Sequence, residues 1–166
     1  MLSKTQQNLT AAFAGESQAS QKYLAFSKQA EVEKLPNVAK LFRAAAEAET
    51  IHAHTHLRNM SMIKTTAENL KTAIEGETYE FTEMYPSFIS DAQSENQSPS
   101  ILKGLQLANA AEKVHASLYQ KAFDTLTNQT PVDYYLCTVC GHIAENATPD
   151  QCPICGAKAI AYKRID

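Results

Sequence analysis

Up to about residue 127 the apolar positions recur at steps of three and four, the period of a helix, with alanine frequent and glycine scarce. The pattern predicts an all-helical body of four segments, roughly 3 to 33, 37 to 62, 66 to 95 and 99 to 127. Each is far longer than the ~11 residues of an average globular helix. Local punctuation supports these cuts. Leu35-Pro36-Asn37 separates the first two segments, Thr65-Thr66-Ala67-Glu68 is a capping-box pattern opening the third, and Ser98-Pro99 sets an N-cap and a first-turn proline before the fourth. Pro86 lies inside the third segment, where a proline loses a hydrogen bond and clashes with the preceding turn, so a kink or an early end is expected. The stripes expected to be buried are Leu9, Phe13, Glu16, Ser20 and Tyr23; then Val38, Phe42, Ala45, Glu49, His52 and His56. The third segment gives Leu70, Ile74, Glu77, Phe81, Met84 and Phe88, and the fourth Ile101, Leu105, Ala108, Glu112, His115, Tyr119, Ala122 and Leu126.

Every stripe contains a carboxylate. One such residue is unremarkable, but four uncompensated buried carboxylates would cost several kcal/mol each. The stripes carry too few Lys or Arg to offset them, so the balancing cations must come from outside the chain. An internal echo sharpens the point. Ala14-Gly15-Glu16 resembles Glu75-Gly76-Glu77, and Ala48-Glu49-Thr50-Ile51-His52-Ala53 resembles Ala111-Glu112-Lys113-Val114-His115-Ala116, a helix pair present twice. Within each Glu-x-x-His the two side chains lie about 60° apart around the helix and one turn along it, close enough to share a metal. One Glu from each of two helices plus Glu-x-x-His from each of the other two is the di-iron or di-manganese pattern of ferritin-like bundles. Glu80, three after Glu77, adds a fifth carboxylate to that face. The bland alternative is a cluster of protonated acids with satisfied histidines. His54 falls off the stripe and reads as solvated; His56 reads as core or as a neighbour of the ligands. Tyr23 and Tyr85 could donate hydrogen bonds to the carboxylates, or simply pack as aromatics.

Composition changes after Asn128-Gln129-Thr130-Pro131, a turn-prone linker. All four cysteines follow it, as Cys137-Thr138-Val139-Cys140-Gly141 and Cys152-Pro153-Ile154-Cys155-Gly156. Each Cys-x-x-Cys-Gly reads as a knuckle whose glycine lets backbone N–H groups point at sulfur, and four thiolates close a tetrahedral site. A segment this short needs such a staple to fold. Pairwise disulfides are the alternative reading. Zinc and iron both suit four thiolates; zinc would make the tail a structural ribbon, iron a one-electron carrier. The expected division is a bundle over 1–130 and a metal-binding domain over 131–166.

Charge and length narrow the function. With 15 Lys+Arg against 18 Asp+Glu, net charge −3, the chain lacks the basic face a general nucleic-acid binder needs. Neither a secretion signal nor an apolar run of membrane-spanning length is evident, so a soluble, cytoplasmic protein is expected, with neither nucleic acid nor membrane as partner.

Taken together, Phe13-Ala14-Gly15-Glu16-Ser17-Gln18-Ala19, Gly76-Glu77-Thr78-Tyr79-Glu80 with Glu83-Met84-Tyr85-Pro86, both Glu-x-x-His-Ala motifs and the two knuckles resemble rubrerythrin, in its order and over nearly the full length. The resemblance implies a ferritin-like four-helix bundle holding two non-haem irons, joined to a rubredoxin-like Fe(Cys)4 domain, with zinc an alternative metal at either site. Carried over by position, Glu16, Glu49, His52, Glu77, Glu80, Glu112 and His115 would hold the di-iron site, with Tyr23 and Tyr85 beside them. Cys137, Cys140, Cys152 and Cys155 would hold the tail iron. In the family one iron exchanges a glutamate for a histidine on redox change, here Glu80 and His52. The implied activity is a peroxidase that reduces hydrogen peroxide to water in oxidative-stress defence. The tail iron, refilled twice per turnover, would draw on a separate reductase, either a rubredoxin or an NAD(P)H-dependent enzyme, since this chain has no dinucleotide-binding glycine loop. Two other classes compete. A ferroxidase or iron-handling protein needs the same ligands but no attached carrier, and a zinc-ribbon scaffold would lack the visible absorption of iron thiolate.

One departure concerns the connection between the second and third helices, which run parallel in such a bundle. Helix two is expected to extend about 15 Å past His52 and helix three to start about 17 Å before Glu77, at ~1.5 Å per residue. Three or four linker residues reach only about 14 Å, short of the roughly 30 Å return. A domain-swapped homodimer is therefore expected, with helices one and two of one chain completing the site on helices three and four of another.

Overall fold

The structure is a computed structural model, which describes residues 3–128 and 130–166. Gln129, part of the expected linker, lies outside the described residues, as do Met1 and Leu2. Helix α1 spans Lys4–Val32 and α2 Pro36–Asn59; α3 spans Thr66–Tyr79, α4 Tyr85–Ser94 and α5 Pro99–Asp124. A three-stranded antiparallel sheet follows, β1 Tyr134–Cys137, β2 Ile143–Glu145 and β3 Tyr162–Ile165, in the order β2-β1-β3. Two compact units emerge, Met1–Lys64 and Thr65–Asp166.

The first unit is the α1–α2 hairpin. Ser20 and Ser27 on α1 and Ala39, Ala46 and Ala53 on α2 are its buried residues together with Ala30. Their spacing of seven makes a seam of small side chains along which two helices approach closely. The Ser20 and Thr50 hydroxyls meet across it at 2.9 Å, and Thr50 also donates to the Ala46 carbonyl. An antiparallel pair buries little beyond its seam. The expected stripes are accordingly half-buried rather than buried: Glu16 and Glu49 are partly covered, while Val38 and His52 are exposed.

In the second unit α3 and α4 pack on α5. Thr65 caps α3 as the sequence predicts, its hydroxyl accepting from the Glu68 N–H while the Glu68 carboxylate accepts from the Thr65 N–H. Ser98 stands at the N-cap of α5 with Pro99 behind it, but its hydroxyl pairs with Ser100 instead of the backbone. Pro86 neither ends the helix nor breaks it. The helical path continues to Ser94, and the irregularity falls just before the proline, as a π-helical turn over Glu80–Met84. There the Tyr85 N–H bonds to the Glu80 carbonyl, five residues back. The wider turn absorbs the register change beside a residue that has no N–H of its own. Helix α2 ends at Asn59, three residues earlier than expected, so six residues rather than three or four connect it to α3.

The tail joins the end of α5 on its own side of the connection. Lys121 on α5 reaches Glu145 on β2 at 2.6 Å. Cys137 pairs with Tyr162 across β1 and β3.

Candidate metal centres

The sequence brings ligand-type side chains together in three groups. In the first unit Glu16 of α1 meets Glu49 and His52 of α2, one ligand atom of each lying within 4.8 Å of the others. His52 Nδ1 is 2.8 Å from the Glu49 carboxylate. In the second unit Glu77 of α3 meets Glu112 and His115 of α5 in the same way. His115 Nδ1 is 2.7 Å from Glu112 and 3.7 Å from Glu77. The other ring nitrogen, Nε2, lies 2.9 Å from the Gly141 carbonyl. A carbonyl only accepts, so His115 carries its proton at Nε2, and the Nδ1 lone pair is turned toward the carboxylates.

The electrostatics of the second group match a site built for cations. Burial, a hydrogen bond with Glu112 and the Glu112 charge push the Glu77 carboxyl up to about 7, against the opposing pull of His115. Burial and Glu112 also raise Glu80. Glu80 sits on the π turn near Glu112 but outside the three-residue group. Burial, then the Glu112, Glu80 and Glu77 carboxylates, raises Tyr85 and keeps its hydroxyl protonated. Acids crowded so closely hold protons only because no cation balances them, and the donor set of carboxylate oxygens and imidazole nitrogen suits iron, manganese or zinc. Tyr23, by contrast, lies in an aromatic cluster with Phe26 and Phe42, at centroid distances of 6.3 and 6.1 Å, which favours packing over a contact with carboxylate. His54 is exposed as expected. His56 has a buried Nδ1 without a hydrogen-bond partner among the described residues.

The third group is the four cysteines, all free thiols. Cys137 and Cys155 sulfurs are 3.7 Å apart, and those of Cys140 and Cys152 3.5 Å. A metal with bonds of about 2.3 Å to four thiolates sets sulfurs about 3.8 Å apart, so the cluster has the size of a tetrahedral site. Gly141 and Gly156 take φ of +81° and +75°, the left-handed conformation that the knuckles require. The turns close through Gly141 N–H to Cys137 O and Gly156 N–H to Cys152 O. Backbone N–H groups reach the sulfurs as the sequence predicts: His142 to Cys140, Ile154 and Cys155 to Cys152, and Ala157 to Cys155. Burial opposes ionisation of Cys152, but hydrogen bonds led by Tyr162 outweigh it and pull the thiol down to about 6, a site prepared for a thiolate.

The Gly141 contact went unforeseen in the sequence. It joins the second carboxylate group to the first knuckle inside one unit of one chain, and nothing in local spacing signals a contact between positions 115 and 141.

Comparison with known proteins agrees with both parts of this geometry. Residues 7–123 match the family model described as Rubrerythrin, and residues 135–163 the one described as Rubrerythrin, rubredoxin-like domain. The chain belongs to the rubrerythrin family. Rubrerythrin-2 of Clostridium acetobutylicum is 34% identical, the match covering 90% of each chain. Nigerythrin of Nitratidesulfovibrio vulgaris is 34% identical over 91% of this chain and 81% of its own. A solved structure titled as the fully reduced, all-ferrous state of nigerythrin superposes with a TM-score of 0.60 at 31% identity, covering 99% of this chain and 88% of that one. The fold is thus mainly helical and ferritin-like with a small rubredoxin-like four-cysteine domain, in an oxidoreductase family of di-iron proteins. Among the described residues no helix is long and apolar enough to cross a membrane.

Proposed function

We propose that this rubrerythrin is a peroxidase that reduces hydrogen peroxide to water, taking electrons through its four-cysteine centre in defence against oxidative stress in the cytoplasm. The observation that carries the reading is the hydrogen bond from His115 Nε2 to the carbonyl of Gly141, the residue after Cys140. A storage protein has no use for a wire between its helices and a thiolate cluster. The separate family matches over 7–123 and 135–163 support functional domains of 1–130 and 131–166.

The candidate ligands are Glu16, Glu49, His52, Glu77, Glu80, Glu112 and His115 for a pair of irons, and the four cysteines for a third. Iron among the carboxylates would supply Lewis acidity and two electrons for cleaving the O–O bond, while iron on the cysteines would pass electrons singly. The protein residues do the rest. His115 is locked by Gly141 with Nδ1 directed at the carboxylates, and Glu112 and Glu77 hold that nitrogen between them. Reduction of one peroxide consumes two electrons and two protons and releases two waters. Tyr85, its proton retained by burial beside Glu112, Glu80 and Glu77, stands where a proton is required. The electrons come from a separate reductase, a rubredoxin or an NAD(P)H-dependent enzyme.

The active assembly is proposed to be a homodimer with exchanged hairpins. Each unit carries one Glu-x-x-His and one further glutamate, half of a di-iron ligand set. From His52 to the end of α2 and from the start of α3 to Glu77 is about 27 Å of helix at ~1.5 Å per residue. The six connecting residues, Met60 to Thr65, reach at most about 25 Å, too little to return along a bundle and cross to a parallel helix. The apolar residues left exposed on the hairpin, Leu24, Phe26, Val38, Leu41 and Ile51 among them, support a covering partner.

An anaerobic single turnover tests the activity. The iron-loaded protein is fully reduced, given one equivalent of hydrogen peroxide per di-iron site and followed by visible absorption and oxygen release. Rapid oxidation of the helical iron followed by oxidation of the thiolate iron, with no oxygen evolved, is expected. A thiolate centre that stays reduced while the helical iron cycles slowly overturns the reading in favour of iron handling.

A further inference from the structure

His142 is the residue that neither motif accounts for. It follows the first knuckle, is only 8% exposed, and its carbonyl accepts from the Cys137 N–H at 2.8 Å, which fixes its backbone against the cysteine cluster. Its Nδ1 lies 2.8 Å from the Tyr162 hydroxyl, and the two rings meet edge to face, with centroids 6.0 Å apart and planes at 86°. Tyr162 is itself set in register opposite Cys137 at the start of β3. The Tyr162 hydroxyl reaches the Cys152 sulfur. A buried imidazole, a phenol and a sulfur thus stand in line, and the phenol has one proton to give.

The thiolate decides where that proton goes. A metal-bound sulfur can only accept, and bonds to a charged acceptor are the stronger ones. The phenol therefore donates to Cys152 and must accept from His142, which requires the His142 proton on Nδ1. Burial keeps His142 neutral by pushing its basicity down, so a single N–H is available for this purpose. Burial, the Cys152 contact and the surrounding cysteine charges raise Tyr162, which holds its proton.

We propose that the Tyr162 hydroxyl, oriented by His142, donates a hydrogen bond to the Cys152 thiolate and so raises the reduction potential of iron held by the four cysteines. The inference rests on the reading of that site as a one-electron iron centre. Taking up one electron from the external reductase changes ferric to ferrous iron, and the site from one net negative charge to two. The added charge spreads onto the sulfurs, where a hydrogen-bond donor stabilises the reduced form more than the oxidised one. Tyr162 and His142 are positioning residues here: neither touches peroxide or the helical carboxylates in this scheme.

Redox titration of the full, iron-loaded chain tests the proposal, comparing the native protein with Tyr162→Phe, which keeps the ring and its contact with His142. At a fixed solution potential the ratio of reduced to oxidised thiolate iron is expected to fall by about three- to tenfold, tenfold being about 59 mV for one electron. His142→Phe leaves the hydroxyl but frees it, and is expected to shift the ratio the same way by less. The zinc-loaded chain gives an independent readout, since nitrogen NMR should place the His142 proton on Nδ1. An unchanged potential in Tyr162→Phe overturns the inference, as does a His142 protonated only at Nε2. A redox-active tail that ignores Tyr162→Phe sinks this inference alone. A tail that takes no iron sinks it together with the electron-carrier reading.

Discussion

The two Glu-x-x-His helices carry the same motif in different surroundings. His115 has a side chain 18% exposed, with Nε2 fastened to Gly141 and Nδ1 set between two carboxylates. His52 has a side chain 57% exposed and, among the described residues, the Glu49 carboxylate as its hydrogen-bond partner. The π turn at Glu80–Met84 also belongs to the second copy, following α3, whereas α1 runs without interruption from Lys4 to Val32. A duplicated helix pair has thus become one tethered half and one loose half. The tethered histidine sits on the path to the thiolates, where a fixed ring is an advantage. The loose one is free to reorient, which is what a histidine exchanging with a glutamate on redox change must do.

The sharpest way to break this comparison is to force the two halves onto different chains. Glu49→Ala damages the first half and Glu112→Ala the second. When the two variants are unfolded together and refolded as a mixture, an exchanged heterodimer contains one site with both lesions and one with none. Each variant alone is expected to bind no intact iron pair and to show no peroxidase turnover, while the heterodimer recovers about one iron pair for every two chains. Iron content and activity of the isolated heterodimer check this. Absence of any recovery, with both variants folded by circular dichroism, would place each site within one chain and overturn the exchange.

The second test compares the histidines directly. Replacing His115 with Ala removes a candidate ligand and the bond to Gly141 together, so oxidation of the thiolate iron after a peroxide pulse is expected to slow by about 100-fold. His52→Ala loses a ligand on the loose side, and about a tenfold loss is expected, with passage of electrons from the thiolate iron otherwise intact. Stopped-flow absorption at the thiolate band separates the two. Equal effects would mean that the Gly141 contact carries nothing.

How far this asymmetry was legible in the sequence depends on range. Spacing of three and four gave the helices, Thr65 and Glu68 gave the cap of α3, and the glycines after Cys140 and Cys155 gave the knuckles, because each is a contact between near neighbours. The grouping of Glu16 with Glu49 and His52, and of Glu77 with Glu112 and His115, followed from the repeat. The π turn escaped, since Pro86 marks a disturbance but not how the backbone will absorb it. The stripes were read as buried, although Val38, Phe88, Ile101 and Tyr119 are exposed and the innermost positions belong to alanines such as Ala39, Ala46 and Ala111. Hydrophobic periodicity identifies a face to be covered, not which neighbour covers it. The bonds His115 to Gly141 and His142 to Tyr162 join residues 26 and 20 apart, and no local pattern encodes them.

The smallest expected effect concerns proton balance in the tethered half. Glu77 is lifted from the usual 4.5 to about 7 by burial and by its hydrogen bond and charge interaction with Glu112, so the metal-free fold binds its proton more tightly than the unfolded chain does. The sign follows from linkage. That stabilisation is fully present below about pH 4.5 and is lost as pH rises through about 7, where the fold must ionise a carboxyl beside a like charge. The Glu77 side chain is 22% exposed, so water screens part of the effect. A metal-free sample is therefore expected to lose roughly 2 to 4 °C in Tm between pH 5 and pH 8 from this group. Glu77→Gln, which cannot ionise, should flatten that portion of the slope, and iron loading should reverse it, because a cation rewards the charged form. Differential scanning calorimetry with chelator present, at several pH values, measures both. A metal-free Tm that climbs over this interval and is unmoved by Glu77→Gln would mean that the second group is no more crowded than the first, leaving the tether at Gly141 as the sole difference between the two copies.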